Sequence, residues 1–307
     1  MKFDAVVGNP PYQEMTGGYG TQAKPIYNLF INMSKSIDSK YISMITPSRW
    51  FSGGMGLNEF RKDMLNDTCL TKIIDYPNTR DVFDSADIAG GVNYFLWDKN
   101  NKAECEVTNV INNVKYSSSR NLNEFNTFVR FNQAIPIIRK VFNVQENGKT
   151  LENVVSPQKP FGLPTNYKPK DKGVPCWFIQ KIGKRYADLK DIHDENKLLN
   201  KWKLLVPRSP IAGQTDFTKP VGFYYDGNTN IAKPGECCTE SFIVAGAFDT
   251  EEEVKNFKSY LFTKTVRFLL LQAVVSQDVL RNKFCFVPDL GKYDRIYTDK
   301  YLCEKWN

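Results

Sequence analysis

The sequence predicts an α/β sheet closed by an antiparallel hairpin, followed by a second, β-rich α+β module. Three observations carry this. Short apolar runs alternate with segments of helical apolar spacing over residues 3–76, the pattern of strands joined by helices. Two further apolar runs, at 88–98 and 105–111, follow each other closely, as the arms of a hairpin do. From Leu151 to Val244 short apolar runs alternate with turn residues, and a strong helix start comes only at Thr250.

Taken in order, Phe3 to Val7 reads as a buried strand that Gly8 ends. Gln13 to Lys24 is polar, holds Gly17, Gly18 and Gly20, and reads as a loop able to close over a substrate. It lacks the strand–G-x-G-x-x-G–helix context of a dinucleotide site. After Pro25, the residues Ile26, Leu29, Phe30, Met33 and Ile37 recur at helical spacing. Tyr41 to Thr46 is a second strand, ended by Pro47-Ser48-Arg49-Trp50-Phe51. Leu57, Phe60, Met64 and Leu65 mark a helix, and Leu70 to Tyr76 a third strand.

The runs Asp87–Asp98 and Cys105–Ile111 read as the closing hairpin. Residues 112–130 are polar and mark a boundary, giving domains at 1–125 and 126–307. Phe131 to Phe142 predicts a connecting helix kinked by Pro136. Strands follow at Cys176–Ile179, Lys203–Ser209 and Thr239–Val244. Thr250-Glu251-Glu252-Glu253 then forms a capping box opening one long helix to Gln272. That helix start explains Glu253-Val254-Lys255 better than a nuclease Glu-x-Lys does.

A chain of 307 residues with 41% hydrophobic and 13% aromatic residues supports two globular domains. It has no run of 18 apolar residues and no signal-peptide pattern, so a cytoplasmic protein without a membrane partner is expected. The seven cysteines are scattered without a Cys-x-x-Cys, and His193 is the sole histidine. A metal site, a disulfide framework and Ser–His or Cys–His catalysis are all poorly supported. Residues 1–130 carry 14 Lys+Arg against 14 Asp+Glu, so the net charge of +7 belongs wholly to residues 131–307. A neutral half joined to a basic half suits a nucleic-acid enzyme whose second domain holds phosphates.

The chemistry concentrates in Val6-Val7-Gly8-Asn9-Pro10-Pro11-Tyr12. Asn9, Pro10 and Pro11 each offer a carbonyl oxygen, and the prolines have no N–H to donate. The Asn9 amide oxygen and the Pro10 carbonyl are placed to accept the two N–H bonds of an exocyclic amino group. This draws the nitrogen lone pair out of ring conjugation by positioning alone. Tyr12 supplies a face on which the ring can stack. An isolated Asn-Pro-Pro is a turn; the full strand–Gly–Asn–Pro–Pro–Tyr order is what points to function.

Phe3-Asp4-Ala5-Val6-Val7-Gly8-Asn9-Pro10-Pro11-Tyr12 resembles the catalytic motif of adenine-specific DNA methyltransferases, in the variant found in type IIG restriction–modification enzymes. Ile45-Thr46-Pro47-Ser48-Arg49-Trp50-Phe51 resembles the family's next strand, and Ile88 to Lys99 its closing hairpin. The segments Lys203–Ser209, Thr239-Glu240-Ser241 and Phe286-Val287-Pro288 resemble its target-recognition region. The resemblance implies a partial Rossmann-like methyltransferase sheet followed by a target-recognition domain. It also implies catalytic Asn9, Pro10, Pro11 and Tyr12, with S-adenosylmethionine as cofactor touching Asn9, Pro10 and Pro47. The partner would be double-stranded DNA with a flipped adenine. An aromatic near the hairpin packs the far face of the base in this family, with Tyr94, Phe95, Trp50 and Phe51 as candidates.

Basic loops interleaved with aromatic residues make Lys181, Lys184, Arg185 and Arg208 the expected DNA contacts. In the family most of the cofactor pocket lies upstream of Asn-Pro-Pro-Tyr, and only two residues precede Phe3. An upstream methyltransferase segment or subunit is therefore an expected partner, and little activity is expected of this chain alone. Two other readings stay open: a DNA-binding or specificity subunit with an inert Asn-Pro-Pro-Tyr turn, and methylation of a protein amide.

Overall fold

The computed structural model describes residues 3–14, 23–53, 55–86, 88–145, 148–179, 181–214, 216, 218–219 and 221–307. These form two compact units, residues 1–135 with 213–220, and residues 136–212 with 221–307.

The first unit is built on β1 (Ala5–Gly8), α1 (Tyr27–Ser36), β2 (Tyr41–Pro47), α2 (Asn58–Asn66), β3 (Leu70–Tyr76), β4 (Val92–Asp98), β5 (Cys105–Ile111) and β6 (Val114–Arg120). Its six strands lie in the order β1-β2-β4-β3-β5-β6. The pairs β1–β2 and β3–β5 are parallel, whereas β4 runs antiparallel to both of its neighbours. The sheet is thus mixed α/β, as expected, with one antiparallel strand in its middle and another at an edge.

Three expectations need correction here. The first strand is not buried: among the described residues β1 is an edge strand bonded on one side only, and Val7 is 77% exposed. The apolar stripe of α1 exists but faces outward at Leu29, Met33 and Ile37, while Tyr27, Ile31 and Ser34 are buried. The hairpin does not join β4 to β5, because β3 lies between them. The closing hairpin is β5 with β6, turning at Asn112 and Asn113, both with positive φ. Two asparagines in the left-handed region make the tight turn that matches strand twist. Polar β6 escaped notice because it is exposed along most of its length and has no apolar face to bury.

In the second unit, β9 (Trp202–Pro207) lies between β10 (Asn230–Ala232) and β12 (Phe242–Phe248), antiparallel to both. A second sheet has β7 (Val174–Trp177) between β11 (Cys237–Cys238) and β8 (Lys184–Ala187). Phe161, Leu163, Cys176, Phe178, Leu205 and Val244 pack these sheets into one core. Inside it, the Lys203 ammonium donates to the carbonyls of Leu199, Lys201 and Lys233 at 2.9, 2.6 and 3.1 Å. Burial pulls its pKa down to about 8.

Helix α3 (Ala134–Val144) straddles the division between units, ten residues beyond the expected boundary at 125/126. Pro136 sits in its first turn, where its missing N–H breaks no helical bond, so the expected kink has no cause. The capping box at Thr250 and Glu253 is present and opens α4 (Glu251–Phe262). The single long helix is in fact two. Thr263 adopts an extended conformation and caps α5 (Lys264–Leu271) by accepting the Val266 N–H. The chain closes with α6 (Asp299–Lys305). Among the described residues, no helix is long and apolar enough to cross a membrane.

Candidate active site

Tyr12 leaves the end of β1 and is tied down twice. Its carbonyl accepts the Ile26 N–H at 3.2 Å, and the next residue, Gln13, forms a bridge with Pro25. The Glu14 N–H donates to the Lys24 carbonyl at 2.9 Å, so the ends of the expected closing loop are brought together. Residues 15–22 of that loop lie outside the described residues.

Beside Tyr12 opens a cavity of about 460 Å³, lined by Tyr12, Gln13, Ala23, Pro25, Tyr27, Pro47, Arg49, Met55, Ile88 and Ala89. This is the size range of small-molecule and cofactor sites. The wall comes from four places in the chain. The segment after β1 contributes Tyr12, and the start of α1 contributes Tyr27. The end of β2 contributes Pro47 and Arg49, and the turn before β4 contributes Ile88 and Ala89. Gly91 fixes that last turn, with its N–H bonded to the Ile88 carbonyl and its own carbonyl to the Ser48 N–H. Its φ is +77°, and a Cβ there would lie 2.1 Å from the Tyr76 carbonyl oxygen, so only glycine fits.

The Tyr12 ring is half-buried, and its hydroxyl is enclosed with no hydrogen-bond partner among the described residues. Burial pushes its pKa up to about 12, with the Tyr94 phenol adding to the effect. Tyr12 is therefore neutral at working pH. Burial raises Tyr27 still more, and the Arg49 charge opposes that rise.

Asn9 is exposed and Pro10 is buried. Neither forms part of the described cavity wall, whereas Tyr12 and Pro47 share it. Pro11 is exposed between them. Of the four aromatics considered for the far face of the base, Trp50, Phe51 and Phe95 are core residues, 0%, 0% and 2% exposed. Trp50 and Phe51 pack against Phe128 instead, with their rings tilted to it by 36° and 41°. Tyr94 is half-buried and edge-on to Tyr76, with ring centroids 5.7 Å apart.

The expected DNA contacts all lie in the second unit. Lys181 and Arg185 are exposed on the β7–β8 hairpin. Lys184 is paired with Glu236 and lies 5.3 Å from the Trp177 ring. Arg208 donates to Glu240 at 2.8 Å and stands 3.6 Å from Asp278, so two carboxylates already balance its charge. Arg49, Tyr27 and Met55 were not singled out for the site. Arg49 stood in the sequence only as part of a strand-ending segment, and its position in the wall follows from the turn Ser48–Ser52.

S-adenosylmethionine carries ribose hydroxyls, which nucleotide sites commonly meet with a carboxylate. No carboxylate lines the described wall. These residues do not make a donor pocket by themselves.

A family model described as Eco57I restriction-modification methylase matches residues 1–83. An "Uncharacterized adenine-specific methylase" from Mycoplasma pneumoniae is 34% identical over 103 residues, which are 33% of this chain and 24% of that protein. The type IIG restriction endonuclease BpuSI superposes over 94% of this chain and 44% of its own, with TM-score 0.35 and 11% identity. A type I restriction-modification methyltransferase subunit from Streptococcus thermophilus covers 46% of this chain and 32% of its own, with TM-score 0.28 and 16% identity. Residues 1–83 are thus similar to the Eco57I restriction-modification methylase family, in line with the resemblance read at Asn9–Tyr12. The chain spans about a quarter of the length of the curated relative it matches.

Proposed function

We propose that this chain supplies the acceptor-base part of an adenine-specific DNA methyltransferase in a restriction–modification system, together with a DNA-holding module. The observation that carries the reading is the cavity beside Tyr12, the last residue of the Asn-Pro-Pro-Tyr segment, whose neutral, half-buried phenol forms part of the wall. A flipped adenine lies on the Tyr12 ring, and stacking of this kind contributes about 1–3 kcal/mol. The Asn9 amide oxygen and the Pro10 carbonyl accept the two N–H bonds of the adenine amino group. The nitrogen lone pair then projects from the ring plane, ready for a methyl group.

S-adenosylmethionine, the donor used in this family, supplies that methyl group when bound. Its grip belongs to a further methyltransferase segment or subunit. The bare edge of β1 supports such a partner, because a parallel strand can add there and extend the sheet. DNA contacts fall to the second unit, where Lys181 and Arg185 are exposed and lack a carboxylate partner among the described residues.

The test joins this chain to a methylase segment that holds S-adenosylmethionine and measures methyl label on DNA and on protein. Adenine labelling that Asn9→Ala abolishes supports the reading. Adenine labelling that survives Asn9→Ala makes the turn inert and this chain a specificity subunit. Labelled protein with unlabelled DNA moves the substrate to an amide.

A further inference from the structure

Arg49 is a half-buried residue in the wall of the Tyr12 cavity, and no carboxylate is paired with it among the described residues. Three other arginines of the chain are held by carboxylates. Arg130 is paired with Asp75, Arg208 with Glu240 and Arg295 with Asp294. The Arg49 guanidinium instead meets the thioether of Met55. Met55 holds this position with a φ of +49°, a region that non-glycine residues seldom occupy. A thioether is a weak acceptor and balances no charge. Most of the five N–H donors of the guanidinium fork therefore remain for an anion entering the cavity.

Two further polar groups share the wall. The Tyr12 hydroxyl is enclosed without a partner, and the Tyr27 phenol lies within the field of Arg49. The described wall thus combines a cation, two phenols and apolar surface, with no negative charge to repel an anion.

We propose that Arg49 grips a backbone phosphate of the nucleotide whose base rests on Tyr12. The inference rests on the proposed function, because the ring on Tyr12 brings its own phosphates into the same cavity. An oxyanion could also come from the carboxylate of the methyl donor. The phosphate is favoured because Arg49 shares its wall with the stacking ring, whereas the donor's ribose finds no carboxylate there.

The test measures binding of the 307-residue chain to a fluorescein-labelled oligodeoxyadenylate by anisotropy across a salt series. Arg49→Met keeps a stem of similar length without the charge. It should weaken binding about ten-fold and lower the log–log salt slope by about 0.7, the share of one phosphate on a single strand. Oligonucleotides with one neutral methylphosphonate linkage provide a second arm. At one linkage the wild type should lose about as much as Arg49→Met, and the variant should lose nothing further.

Unchanged affinity and slope in Arg49→Met, with Tyr12→Ala weakened, overturns the phosphate contact and leaves the base seat standing. Unchanged binding in both variants removes the base seat as well. A variant that loses S-adenosylmethionine affinity but keeps oligonucleotide affinity assigns Arg49 to the donor and overturns the proposal. If Arg49→Met melts early, the methylphosphonate series on the wild type decides, and an equal response at every linkage counts against the contact.

Discussion

Asp75 and Arg130 face each other as a fully buried two-point ion pair, with Arg130 Nε 2.8 Å from Asp75 Oδ2 and Nη2 2.9 Å from Oδ1. Asp75 Oδ1 also accepts the Ser48 hydroxyl at 2.8 Å. Ser48 stands between Pro47 and Arg49, which line the cavity, so the pair fixes the floor on which the site rests. Asn109 closes the network by donating to the Arg130 carbonyl at 2.9 Å.

Breaking one side of this pair should be costly, because the remaining charge stays buried without its counter-ion. Asp75→Asn and Arg130→Met should each lower stability by about 3–5 kcal/mol. Urea denaturation with a shared m-value checks this. A loss below about 1 kcal/mol would show that water reaches the pair.

Arg130 also shows what could be read in the sequence and what could not. It closes a polar stretch that looked like a boundary between domains, and nothing local distinguishes it from a solvated arginine. Its burial depends on Asp75, 55 residues earlier, and long-range pairing of this kind leaves no local period. Strand β2 was legible as a short, largely buried apolar run, and β3 and α2 because each has a buried face at its own repeat. Strand β6 and the break at Thr263 were not, since one has no buried face and the other is a single extended residue between two apolar helices. Tyr12 and Pro47 stood out in the sequence and do share one cavity wall, whereas the rest of that wall comes from separate segments with no common local pattern.

Tyr12 separates stacking from hydrogen bonding. Its hydroxyl has no partner among the described residues, so Tyr12→Phe should keep stability within about 0.5 kcal/mol and retain base binding. Tyr12→Ala removes the ring and should weaken oligodeoxyadenylate binding roughly ten- to hundred-fold. Under the proposed function, with the chain joined to a donor-binding methylase segment, Asn9→Ala should reduce methyl transfer on the order of 100-fold or more, in line with loss of one preorganised polar contact. Single-turnover kinetics checks that effect, and a change confined to KM would count against it.

Gly91 should tolerate no side chain. Gly91→Ala drives a Cβ into the Tyr76 carbonyl at 2.1 Å and strains a backbone already at positive φ. A loss of about 3 kcal/mol or more is expected, read as a lower thermal midpoint. Wild-type stability in this variant would mean that the turn carrying Ile88 and Ala89 is free to move.

Cys105 gives a pH dependence with a defined sign. Burial pushes its thiol up to about 12, above the ordinary cysteine value of about 8.5. Its contribution is therefore fully present below pH about 8.5 and is lost as pH rises toward about 12, because the unfolded chain releases the proton first. Between pH 8.5 and 10 the loss is about 2 kcal/mol. Cys105→Val should flatten the fall in stability over that interval, and denaturation curves at the two pH values measure the difference. Equal slopes in both proteins would refute the assignment.

The one-sided bonding of β1 also bears on how the chain behaves in a tube. A strand with free amides and carbonyls is adhesive toward any extended peptide, including a second copy of itself. The exposed Asp4–Lys40 ion pair at its start and the net charge of +7 oppose that stickiness while salt is low. Shelf life should therefore shorten as ionic strength and concentration rise together, and a short peptide of strand-forming sequence added in excess should act as a preservative.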